Sequence, residues 1–140
     1  MIRYSVILTS LLIAQAAHAG LQINTERAQF NYQLFCQGCH VGTGIGGKSV
    51  PNLKGFVGNF LLTQEGREYL VKVPGSAYST MTDEQLAEVL NWILISFAEK
   101  SLSEDWKPFQ ATEVAVYRRK PLYEVVDYRA GLISRLPLNR

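Results

Sequence analysis

"FCQGCHVG", residues 35–42, holds both cysteines of a 140-residue chain. Cys36 and Cys39 are three positions apart, and His40 follows the second directly. On a helical turn that spacing brings two side chains to one side. A disulfide, a metal clip and a redox dithiol can each use such a pair. A further chemistry also needs the adjacent imidazole, and the rest of the chain decides among them.

The length is that of one domain, large enough for a modest core. The formal net charge is only +2, so no nucleic-acid partner is expected. Apolar residues make up 47%, with seven Tyr, six Phe and two Trp. That composition belongs to a packed chain and excludes a disordered one.

The first residues read as an export signal. Arg3 supplies a positive start, and "SVILTSLLIAQ" is an apolar run too short to span a bilayer comfortably. Ala17, His18 and Ala19 then present small residues at a signal-peptidase spacing. Cleavage after Ala19 is expected, giving a periplasmic chain with no stable membrane insertion. The alternative is an uncleaved N-terminal anchor.

In an oxidising compartment two lone cysteines usually form a disulfide. A thioredoxin-type pair, however, follows a strand in a βαβ pattern. Here the preceding segment is helical, with Asn24 or Thr25 as cap, Glu26 in the first turn, and Phe30 and Leu34 on one face. Zinc would want four ligands, and a second pair is missing. The remaining chemistry is covalent haem attachment, for which this run is a known signature. Cys36 and Cys39 reach the two vinyl groups of one porphyrin, and His40 becomes the proximal iron ligand. One covalent haem c is expected.

The next stretch, "VGTGIGGKSVPNLKG", has five glycines and a proline in fifteen residues and reads as a loop. With "CQGCH", this loop and "VPNLKG" in view, the chain resembles the class I monohaem cytochrome c family. The resemblance covers about residues 25–98. It implies an all-α, cytochrome c-like fold around the haem, with the first and last core helices packed crosswise. It also implies that the Pro51 carbonyl orients His40 through Nδ1, which fixes the tautomer and raises the ring's basicity. Pro51 as a plain loop stiffener is the other reading.

Downstream, "NFLLTQEGREYLVKV" has a helical pattern weakened at Gly66, so two short pieces are expected. "MTDEQLAEVLNWILISF" is the strongest helix. Thr82 caps it, Gln85 completes a capping box, and Leu86, Val89, Leu90, Ile93 and Phe97 form its apolar stripe.

One departure from the family stands out. Its distal methionine usually lies several residues before the final core helix, near Gly75 and Ser76 of this chain. After cleavage the only methionine left is Met81, immediately before the Thr82 cap. Two readings stand: Met81 is the sixth iron ligand on a shortened loop, or it is a hydrophobic staple. In the second case the iron is open or takes an unusual ligand such as Lys72 or Tyr78.

Beyond residue 100 the chain continues past a minimal cytochrome. Helix signals occur at Thr112 and Glu113 and over residues 123–136. Residues 100–140 hold eight Lys or Arg against five Asp or Glu. Arg118, Arg119 and Lys120 either face an acidic partner or form a solvated helix end. Arg67 either pairs with a haem propionate or lies on the surface, and Trp92 reads as packing.

The expected organisation is a signal peptide over residues 1–19, a cytochrome core over 20–100, and a helical extension over 101–140 packed on it. The expected function is periplasmic one-electron transfer and not enzymatic catalysis. The donor would be a dehydrogenase, and the acceptor an oxidase or another cytochrome. Two alternatives are a haem-based small-ligand binder and a fixed subunit of a dehydrogenase complex.

Overall fold

The computed structural model describes residues 22–47 and 50–138. The expected signal peptide and its cleavage point lie outside the described residues. Within them the chain is helical, with no strand. Seven α-helices run in order: α1 Thr25–Phe35, α2 Gln37–His40, α3 Gln64–Lys72, α4 Pro74–Ala77, α5 Asp83–Phe97, α6 Ala111–Tyr117 and α7 Val126–Arg135. Short 3-10 turns occupy Val57–Leu62 and Glu99–Ser101.

Of the two candidate caps, Asn24 starts α1. Its side-chain oxygen accepts the Arg27 N–H at 2.9 Å, satisfying one of the amides that a first turn leaves unpaired. The helix packs on α5, but not through the face the sequence suggested. Ala28, Asn31 and Tyr32 are buried, whereas Phe30 and Leu34 are 61% and 62% exposed. Small Ala28 lets the helices approach closely. Tyr32 fills the space beyond, stacking obliquely on Trp92 and Phe97 with ring centroids 5.2 and 5.3 Å away.

Helix α5 follows its sequence pattern closely. Thr82 accepts the Gln85 N–H at 3.2 Å, and the Gln85 side chain accepts the Thr82 N–H at 3.0 Å. Leu86, Val89, Leu90, Ile93 and Phe97 are all buried, a continuous stripe along one side.

The helical segment before it does break in two, but at Thr63 and not at Gly66. The Thr63 hydroxyl accepts the Gly66 N–H at 3.0 Å and starts α3. Gly66 is required for another reason. A Cβ there would lie 2.1 Å from the Phe60 carbonyl oxygen, so the 3-10 turn folds back against α3 only because no side chain intervenes.

After residue 100 the chain wraps this core. Helix α6 packs on α5, and Leu132 of α7 and Leu136 just beyond its end enter the same apolar cluster as Phe60 and Tyr69. The cap expected near Thr112 sits at Gln110, whose N–H donates to Glu113 Oε1 at 2.8 Å. Helix α7 begins three residues later than its apolar pattern, because the Glu124 carboxylate gathers the N–H groups of Val126, Asp127 and Tyr128. Negative charge at that end also suits the helix dipole.

Candidate haem site

The two cysteines and His40 sit where one helix stops and another turn begins. Helix α1 ends at Phe35, and the chain re-enters a single turn, α2. The Cys39 and His40 N–H groups both donate to the Cys36 carbonyl, at 3.1 and 3.0 Å. That turn places both cysteines and His40 on the wall of one cavity of about 570 Å³. Ligand pockets of roughly 300–1,000 Å³ are typical for small-molecule and cofactor sites. Cys36 is half-buried and Cys39 exposed, and both thiols are free. Burial, assisted by neighbouring Cys39, pushes the Cys36 thiol up to about 11.

Beyond His40 the backbone is held in an unusual shape. Val41 has φ of 48°, a left-handed conformation costly for a β-branched residue. Its carbonyl accepts the Tyr32 hydroxyl at 2.5 Å, which ties the turn to the α1–α5 interface. Gly44, with φ of 72°, leaves its carbonyl free to accept from Leu53 at 2.8 Å and from Lys54 at 3.2 Å. The Gly-rich loop is thereby folded back so that Val50, Pro51 and Leu53 line the same cavity as His40.

Pro51 and His40 are thus brought together. Burial lowers the His40 pKa, and the Pro51 carbonyl opposes the fall. Nδ1 of His40 is buried, yet it makes no hydrogen bond of ordinary geometry. A buried imidazole nitrogen in that state is costly unless a partner completes it.

The other walls are apolar. Helix α3 and the residues after it contribute Tyr69, Leu70, Val73, Gly75 and Ser76. Helix α5 contributes Leu90, Ile93 and Leu94, and Phe60 closes the 3-10 turn side. The extension adds Val125, Val126 and Arg129. Nε of Arg129 is buried with no partner, and its guanidinium lies 5.7 Å from the Phe56 ring and 5.9 Å from that of Phe60. Burial raises the Tyr69 phenol, and Arg129 pulls it part of the way back.

These features fit a haem. The apolar walls suit a porphyrin, and the thiol pair suits its two vinyl groups. The unpartnered imidazole nitrogen lies beside that pair, and the unpartnered Nε of Arg129 suits a carboxylate. Among the described residues no cluster of three or more His, Cys, Asp or Glu could hold a metal ion, so a zinc clip finds no further ligands there.

Several sequence candidates are placed elsewhere. Met81 is 4% exposed within the apolar core and does not line the cavity. Its position one residue before the Thr82 cap, with Leu86 in the same core cluster, matches a staple. Lys72 is paired with Glu68, and Tyr78 is largely exposed. Arg67 neither lines the cavity of Cys36, Cys39 and His40 nor lies free on the surface. It forks onto Glu113 at 2.6 Å and onto the Lys107 and Pro108 carbonyls, lying over the Phe109 ring at 4.2 Å. Arg118 is likewise internalised, bonding the Ser79 and Met81 carbonyls and Asp83. Arg119 and Lys120 are exposed. Arg129 was missed by the sequence reading. Its only local signal was a basic residue on the α7 pattern, far along the chain from His40.

A chain that is all-helical over its described residues, with a thiol–thiol–imidazole run on the wall of an apolar cavity, has the make-up of a haem-binding helical protein. The chain belongs to the class I c-type cytochrome family. It is 35% identical over 107 residues to cytochrome c-552 of Thermus thermophilus, an alignment covering 62% of this chain and 81% of that protein. A cytochrome c-552 from a particular strain of the same organism is also 35% identical over 107 residues, with 62% of this chain and 72% of that protein covered. No protein-family model matches the chain, and no solved structure matches it. Family membership makes the chain a c-type cytochrome of the electron-carrier kind, with covalently bound haem c.

Proposed function

We propose that this chain is an exported one-electron carrier holding a single haem c through Cys36 and Cys39, with His40 as proximal ligand. The observation that carries the reading is the buried, unpartnered Nδ1 of half-buried His40 beside two free thiols on one apolar cavity wall. A bound haem c supplies a one-electron ferric–ferrous couple. Pro51 holds the imidazole by accepting from Nδ1 once the ring settles, and the apolar side chains of α3 and α5 exclude water. Arg129, whose buried Nε has no partner, would neutralise a propionate. Cys39 is exposed, which leaves that attachment point open to a docking partner. Brief encounters of under about 1,200 Å² would suit such turnover. A periplasmic dehydrogenase as donor, and an oxidase or second cytochrome as acceptor, fit this role. No helix among the described residues is long and apolar enough to cross a membrane.

The test is expression with a leader and a c-type maturation system, followed by mass spectrometry and a pyridine haemochrome assay on the denatured chain. One haem mass should stay attached, at one iron per chain. Cys36→Ser and Cys39→Ser should each lose one thioether, and the double variant all covalent haem. An unmodified wild-type chain from a host that matures other c-type cytochromes would refute the reading.

A further inference from the structure

Beyond electron carriage, one corner of the cavity is lined by residues given no role above. It is formed where α3 ends and α4 begins, by Val73, Gly75 and Ser76. We propose that, among the described residues, His40 is the only side chain offered to the haem iron, and that this corner admits a small neutral diatomic ligand of the carbon monoxide or nitric oxide class. The inference rests on the haem reading above.

Three observations carry it. The first concerns what lines the cavity. Its possible iron donors are Cys36, Cys39, His40 and Tyr69, besides the weakly donating Ser76 hydroxyl and the Asn52 amide oxygen, which already accepts the Gly46 N–H. The two thiols are consumed by attachment. Tyr69 is buried, and burial pushes its phenol upward, so it stays neutral, a form that binds iron poorly.

The second concerns Met81. Its backbone is held from both sides. The carbonyl accepts from Arg118 Nη1 at 2.9 Å, and the next residue, Thr82, is locked in a reciprocal capping box with Gln85. These bonds fix the backbone at Met81, and shifting that backbone to carry the thioether into the cavity would break them. It would also leave a void in the core, with the loss of packing that a buried side chain of that size entails.

The third concerns Gly75. It lines the cavity, has no positive φ, and a Cβ built on it meets nothing within 4 Å. The position therefore has room for a Cβ and backbone geometry that other residues adopt, and this chain places no side chain there. The neighbouring walls, Leu70, Val73 and Phe60, are apolar, and the corner itself offers only the Ser76 hydroxyl. That chemistry suits a small neutral ligand and disfavours an anion, which would lose its hydration without a cationic partner.

The test uses the matured full-length holoprotein, after a haemochrome assay has shown one covalent haem. Electron paramagnetic resonance reads the ferric spin state, and titration with carbon monoxide reads ferrous ligand binding. The wild type should be high-spin and bind carbon monoxide. Met81→Leu should leave both readings unchanged. Gly75→Met should convert the ferric form to low-spin and weaken carbon monoxide binding about tenfold or more, because an internal ligand then competes for the iron. Gly75→Ala is the folding control and should behave as wild type. A low-spin wild type that refuses carbon monoxide would overturn the inference. So would a low-spin wild type that turns high-spin on Met81→Leu, which would make Met81 the ligand. A chain with no covalent haem would overturn the haem reading itself, and this inference with it. The haemochrome assay distinguishes that failure from the other two.

Discussion

The side-chain amide of Asn91 pairs with both backbone groups of Phe109: the Phe109 N–H donates to Oδ1 at 2.7 Å, and Nδ2 donates to the Phe109 carbonyl at 3.0 Å. Asn91 sits mid-way along α5 and is 3% exposed. Phe109 is buried too, eighteen residues further on, near the start of the extension. A helix side chain here takes the place of a strand partner. It satisfies a segment of extended backbone that would otherwise enter the interior with two unpaired polar groups.

Asn91→Ala should therefore be costly. It leaves the Phe109 N–H and carbonyl buried and unpaired, and a single such loss costs about 1–3 kcal/mol. A loss of about 3 kcal/mol in chemical denaturation is expected, with α6 becoming the first segment to exchange its amide hydrogens. Asn91→Asp retains one acceptor and should lose less. Equal effects for the two variants would show that the paired geometry is immaterial.

Gly66→Ala places a methyl against the Phe60 carbonyl, where the gap is 2.1 Å. In an isolated helix the same change stabilises by about 1 kcal/mol. Here the sign should reverse, with destabilisation of about 2–3 kcal/mol from overpacking. A midpoint from thermal or urea unfolding that stays level or rises would show that the 3-10 turn can move aside.

These two positions mark where sequence reading stops. Helix α5 was legible in full, because its cap, box and stripe are all local. The thiol–thiol–imidazole run is local too, and the structure sets its two cysteines and histidine on one cavity wall. Gly66 looked like a weak point in a helix because only the folded chain brings the Phe60 carbonyl against it. Phe30 and Leu34 looked like a core face because they are apolar, yet α1 meets α5 through a small residue and a tyrosine. The hydroxyl of Tyr32 is satisfied at Val41, so its ring can be buried. Arg67, Arg118 and Arg129 look alike in the sequence, and each role is set by carbonyls, carboxylates or rings far away along the chain.

Arg118 fixes the segment between α4 and α5. Its guanidinium reaches the Ser79 carbonyl at 2.7 Å, the Met81 carbonyl at 2.9 Å and Asp83 Oδ1 at 2.9 Å. A planar fork can serve three acceptors in this way, and an ammonium cannot do so with the same geometry. Arg118→Ala should lower the unfolding free energy by about 2 kcal/mol, and Arg118→Lys should recover less than half of that loss. Full rescue by lysine would mean that charge alone matters at this site.

Acid should loosen the joint between the first helix and α5. The Glu88 carboxylate accepts from Arg27 Nε at 2.7 Å and from the Asn24 N–H at 2.9 Å. The Arg27 hydrogen bond, against some burial, holds its pKa below the ordinary 4.5. Folded Glu88 is thus harder to protonate than unfolded Glu88. Its contribution to stability is fully present above 4.5 and is lost as pH falls through the lower folded value. Glu68, lowered by its bond to Lys72, acts in the same direction. Urea midpoints taken from neutral to acid pH should fall below that point, and Glu88→Gln should flatten the fall. Because Glu88 also receives the N–H of the α1 cap residue, α1 amides should lose hydrogen-exchange protection before those of α5. An acid transition unchanged by Glu88→Gln, with α1 and α5 losing protection together, would place the acid-sensitive group elsewhere.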